Sequence, residues 1–150
     1  MFAVAGIGAL LGATLSTRVG LRLGTVGAII CSYSVTALGV LIMMFAALVP
    51  TGWAAAAVLA AGQLCHGWAM GTSNSHEMAF RQSLTPDELQ ARTNTTLRSL
   101  NRAVIVVVSP VAGLLIEAVG YLPTLGAALA IFIGSALSLA LSPLRGARVE

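Results

Sequence analysis

The strongest constraint on this chain is a succession of apolar runs, each close to the length that crosses a lipid bilayer. A spanning helix needs about 20 predominantly apolar residues, with a tolerated range of about 17–25. Five segments meet or approach that length, roughly residues 2–17, 25–49, 53–80, 93–120 and 124–142. Composition agrees, because 57% of the residues are hydrophobic and only 9% are charged. A soluble domain of average composition carries about 25% charged residues, enough to cover a globule in water. The expectation is an all-α integral membrane protein with five transmembrane helices, residues 1–150 forming a single partial transmembrane domain.

The connections between the runs set an orientation. Arg18 and Arg22 lie in the first, Arg81 and Arg92 frame the third, and Arg145 and Arg148 occupy the tail. The second, Pro50-Thr51-Gly52, and the fourth, Tyr121-Leu122-Pro123, carry no basic residue. Connections on the cytoplasmic side carry the Lys/Arg excess. The chain is therefore expected in the cell inner (plasma) membrane as a multi-pass protein, N-terminus outside and C-terminus cytoplasmic. All eight basic residues are arginines scattered between apolar runs, which excludes a clustered nucleic-acid face. The formal glycosylation sequon Asn94-Thr95-Thr96 falls on the cytoplasmic side in this orientation and is discounted.

Polarity divides the spans. The second and fifth hold no charged residue and no side-chain amide, so they suit a supporting, lipid-facing role. The third and fourth carry Gln63, His66, Asn74, Glu77, Arg98, Asn101 and Arg102, which are costly in hydrocarbon and must face protein or water. At 100° per residue, Gln63, His66, Ser73, Asn74, Glu77 and Arg81 share an arc of about 120°, with His76 off it. Asn94, Arg98, Asn101, Arg102 and Ser109 share an arc of about 100° on the next span. Two polar stripes joined by one turn predict a shared cleft or gate, with a Glu77 ion pair to Arg98 or Arg102. Within the turn, Thr85-Pro86-Asp87-Glu88 has the spacing of a capping box and predicts a short cytoplasmic helix near 86–92.

Several motifs fail on inspection. His76-Glu77-Met78-Ala79-Phe80 begins like the zinc-protease signature H-E-x-x-H but ends on Phe80, which cannot ligate. Cys31 and Cys65 read as small apolar fillers, and no metal or cofactor is expected. Gly6, Gly8 and Gly12 carry one residue too many for a dinucleotide loop. Gly8/Gly12 instead form a G-x-x-x-G pair suited to close helix packing, and Gly67/Gly71 form another.

Three stretches together resemble the C-terminal part of a major facilitator superfamily transporter of the bacterial drug and siderophore exporter type. GATLSTRVGLRLG, residues 12–24, is similar to the superfamily's loop motif, with Arg18, Gly20 and Arg22 matching. Ala13, Thr17 and Leu21 depart from it. SHEMAFRQSLTPDELQARTNTTLRSLNRA resembles the end of helix 10 and the loop and helix that follow. In SPVAGLLIEAVG, Pro110 and Gly113 match a kinked eleventh helix. The resemblance maps the five spans onto helices 8 to 12, the first, third and fourth lining a cavity.

What the resemblance implies is small-molecule efflux by a proton-coupled, alternating-access secondary transporter, not an enzyme. Gln63, His66, Asn74 and Asn101 are then the cavity candidates, and Glu77, Arg81, Arg98 and Arg102 the gate candidates. A full transporter of this type has two six-helix halves around a midplane site. The expectation is thus a C-terminal fragment whose partners are the lipid bilayer, the small-molecule substrate, and the missing N-terminal helices or a second polypeptide, with no nucleic acid. Two alternatives stay open. One is a small non-transporting membrane protein that packs against another through its glycine faces. The other is an intramembrane enzyme, which would need bound metal.

Overall fold

The computed structural model describes residues 2–142. The described residues are all helical, with four α-helices among them: α1 Phe2–Phe45, α2 Trp53–Leu84, α3 Asp87–Val119 and α4 Tyr121–Leu141. A 3-10 turn over Ala46–Leu48 closes α1. The expectation of five separate transmembrane helices is therefore corrected. Among the described residues, three helical stretches are long and apolar enough to cross a membrane: Phe2–Leu48, Asp87–Val119 and Tyr121–Leu141.

Two physical causes account for the difference. The stretch around Arg18 and Arg22, expected as a loop, is helical, so the first two apolar runs join in one 44-residue element. Only Gly24 leaves helical geometry, at φ 74° and ψ 169°, a conformation open essentially to glycine alone. The third run, now α2, carries its amides, histidines and charges along its length and falls outside the apolar group. The predicted capped helix also merges with its neighbour, since α3 runs unbroken from Asp87. Thr85 does not cap it. Its hydroxyl donates back to the Arg81 carbonyl at 2.8 Å, ending α2, and Pro86 precedes α3.

Packing shows how α1 is used. Ala5 meets Gly67 and Ser16 meets His76, so the first arm runs alongside α2 in the same direction. Tyr33 meets Glu77 and Met43 meets Gly62, so the second arm runs the opposite way. The chain reverses at Gly24, and α2 is held by both arms. Gly8 and Gly12 lie against the main chain of Leu64 and Trp68, while Gly67 and Gly71 lie against that of Ala5 and Ala9. The two glycine pairs thus fill each other's faces within one chain and leave nothing there for a partner.

The core is made of small residues. Among the described residues, the largest fully buried side chains are Thr72 and Ser32. Large apolar groups such as Leu10, Leu38, Val106, Leu114, Ile131 and Leu137 are exposed. A water-soluble core gathers such residues inside, whereas helices in lipid pack through small residues and leave large ones to the acyl chains. This inverted distribution, with the membrane-length helices, gives the protein a membrane location.

The expected division between supporting and lining spans is only partly met. Residues 25–45, expected to face lipid, supply Val26, Ala28, Ile29, Ser32, Thr36, Ala37, Gly39, Val40 and Met43, most of the buried set. α4 lies against α1, while α3 touches α4 lightly and has no buried residue. A single residue, Gly120 at φ 92°, turns α3 into α4, so Tyr121 and Pro123 belong to the first turn of a helix and not to a loop. Pro123 is tolerated there because first-turn N–H groups have no intrahelical acceptor.

Candidate functional site

α2 places Asn74, Glu77 and Arg81 at intervals of three and four residues, which puts them on one helical face. That face looks into an open groove of about 480 Å³. Ile29 of α1 closes one wall, and Leu97, Leu100, Asn101 and Val104 of α3 form another. Asn74 and Asn101 are exposed, Glu77 and Arg81 half-buried. The groove therefore gathers polar groups from two helices among apolar ones, in a protein that also exposes many large apolar residues.

Within it the Glu77 carboxylate has one donor among the described residues, the Tyr33 hydroxyl of α1 at 3.3 Å. Arg81 does not reach that carboxylate. Its Nε donates instead to the Glu77 main-chain oxygen at 3.3 Å. Among the described residues, Glu77 forms no ion pair with Arg98 or Arg102, which corrects the expected contact. Arg98 and Arg102 are exposed on α3 and do not line the groove.

The other sequence-derived residues lie apart. Gln63 packs toward the second arm of α1, its Nε2 donating to Met43 Sδ at 3.4 Å. His66 stands edge-on to Phe132 of α4, with centroids 6.5 Å apart and planes at 68°. Its Nδ1 is buried and has no hydrogen-bond partner among the described residues. Neither residue lines the groove, although both share its helical arc, because Met43 of α1 stands against Gln63 and Phe132 of α4 against His66.

His76 faces the opposite arm. Its Nε2 donates to the Ser16 carbonyl at 3.0 Å, since a carbonyl can only accept. A Cβ on Gly20 would stand 2.5 Å from the ring, so Gly20 makes room for the imidazole. This gives Gly20 a packing role; Arg18 and Arg22 are exposed on the same helix. Cys31 and Cys65 are half-buried free thiols. Among the described residues, no three His, Cys, Asp or Glu side chains gather closely enough to hold a metal ion.

No protein-family model, curated protein or solved structure matches this chain.

Sequence reasoning missed Tyr33. A lone phenol in an apolar run looks like a packing residue, and the run's lack of charge argued for a lipid-facing role. The available signal was the hydroxyl, which needs a partner when buried.

Proposed function

We propose that the chain is part of a secondary transporter that moves small molecules across the membrane, with proton-coupled efflux by alternating access as its mode. One observation carries the reading: Asn74, Glu77, Arg81 and Asn101, from two helices, surround one groove in a protein that exposes many large apolar residues. Charged and amide groups in such surroundings are costly and mark pathways for polar solutes by default. The resemblance to the C-terminal part of major facilitator exporters supports the same function.

In this account the groove is the cytoplasmic part of a cavity. Asn74 and Asn101 supply neutral hydrogen-bonding groups to the solute, while Glu77 and Arg81 form a gate. The Tyr33–Glu77 bond joins α1 to α2 and is a contact that breaks and remakes as access alternates. Arg98 and Arg102, without acidic partners in the described chain, meet carboxylates of further helices, from the same transporter or a second polypeptide. The arginine distribution supports an inner-membrane orientation with the N-terminus outside. The reading as a small packing partner loses its motive, because its glycine faces are occupied internally.

The test is efflux of fluorescent dyes of each charge type, ethidium as a cation, fluorescein as an anion and rhodamine B as a zwitterion, from cells expressing the gene that contains this chain. Glu77→Gln and Arg98→Ala are compared with wild type at equal membrane abundance. Efflux reduced about tenfold or more by Glu77→Gln is expected, the loss of one charge-assisted contact. Unchanged efflux in Glu77→Gln removes the carboxylate from the gate, and unchanged efflux in Arg98→Ala removes the contact of Arg98 with further helices.

A further inference from the structure

The groove holds two opposite charges that do not neutralise each other. Glu77 and Arg81 are one turn apart on α2, a spacing at which a carboxylate and a guanidinium ordinarily meet. Tyr33 instead draws the carboxylate toward α1, and Arg81 Nε is committed to a main-chain oxygen. Among the described residues no other polar group contacts the Glu77 carboxylate or the Arg81 guanidinium. Both are half-buried beside Ile29, Phe80 and Leu100, and a partly desolvated charge without a counter-charge is unfavourable.

A ligand bearing one charge relieves only half of this. An organic cation on Glu77 brings a second positive charge beside Arg81, and an organic anion on Arg81 does the converse to Glu77. A molecule carrying both an ammonium and a carboxylate supplies both counter-charges at once. The apolar wall accommodates a hydrocarbon body, and the volume of about 480 Å³ lies within the usual range of small-molecule sites, about 300–1,000 Å³.

We infer that the groove binds a small zwitterion with an apolar body, its ammonium on Glu77 and its carboxylate on Arg81. Tyr33 is the positioning residue that keeps the two charges apart. This names the substrate class of the transport site and rests on the transport reading for its biological meaning, while binding itself is measurable without it.

The experiment measures equilibrium binding to the purified full chain in lipid nanodiscs. Phenylalanine, phenethylamine and 3-phenylpropionate share one apolar body and differ in charge. Phenylalanine binds tightest, by about tenfold or more over either single-charge probe, the worth of one charge-assisted contact. Glu77→Gln weakens phenylalanine to the level of 3-phenylpropionate, and Arg81→Gln weakens it to that of phenethylamine. In Tyr33→Phe the carboxylate closes on Arg81, so the preference for the zwitterion disappears. A merely structural defect would weaken all three probes alike.

Equal binding of the three probes to wild type, or no binding of any, overturns the inference. So does a zwitterion preference that survives Glu77→Gln. Should a variant fail to fold, the ranking of probes by the wild-type protein decides alone. Zwitterion binding without uptake or release of the probe by liposomes holding the same protein would leave the site standing and count against transport.

Discussion

Where α1 crosses α2, Gly12 and Thr72 stand together and contribute by different means. Thr72 is fully buried and its hydroxyl donates to the Gly12 carbonyl at 3.1 Å. A Cβ on Gly12 would run into the main chain of Trp68. Inter-helix hydrogen bonds in membranes average about 0.6 kcal/mol, whereas forcing extra volume into a packed contact costs about 1–3 kcal/mol. Gly12→Ala should therefore destabilise the protein by about 1–3 kcal/mol and Thr72→Val by about 0.6 kcal/mol, read from unfolding by SDS in mixed micelles. The reverse order would mean that the hydrogen bond and not the close approach holds these helices. The glycine spacing was legible because small residues four apart make a smooth helical face. That the Gly8/Gly12 face meets the Gly67/Gly71 face was not legible, since spacing says nothing of which face lies opposite. Tyr33 stayed hidden for a related reason, its partner Glu77 being 44 positions away.

Helices were legible wherever an apolar run was long, but their boundaries were not. Arginines near a run's end suggested a loop at 18–24, yet long charged side chains extend from a helix as readily as from a loop. The break is set by one glycine. Gly24 has open space around a would-be Cβ, so only its backbone conformation resists substitution. Gly24→Ala is expected to cost about 1–3 kcal/mol, the range for a non-glycine residue in a glycine-only region. Gly113 in α3 also has open space and ordinary helical geometry. Gly113→Ala should be neutral or stabilising by up to about 1 kcal/mol, because alanine is the better helix former. Thermal unfolding of the two variants in detergent separates them; equal effects would mean that Gly24 is not the reversal point. The capping residues misled similarly. The Thr85 hydroxyl has a choice between the helix behind it and the helix ahead, and the carbonyl of Arg81 is the one within reach.

At the scale of the molecule, the membrane location was legible from composition, and the structure adds its physical form, a small-residue core with large apolar groups outside. The candidate site was half legible. The shared arc of Asn74, Glu77 and Arg81 was readable from helical periodicity, and Asn101 joins them across the groove. Gln63 and His66 share the arc but meet Met43 of α1 and Phe132 of α4, and no one-dimensional pattern separates covered from open lengths of a helix. Arg98 and Arg102 remain outside the groove because they fall on the side of α3 away from Leu97, Leu100 and Val104, which line it.

The central claim is that this groove is a water-accessible path for solutes inside an otherwise lipid-facing protein. Thiol labelling in native membranes tests it most directly, after Cys31→Ala and Cys65→Ala remove the native thiols. Asn74→Cys and Asn101→Cys should react with a small charged maleimide at rates at least about tenfold above Val106→Cys and Ile131→Cys, because the reagent needs water to reach and ionise a thiol. Asn101→Cys reacting as slowly as Val106→Cys would contradict the account.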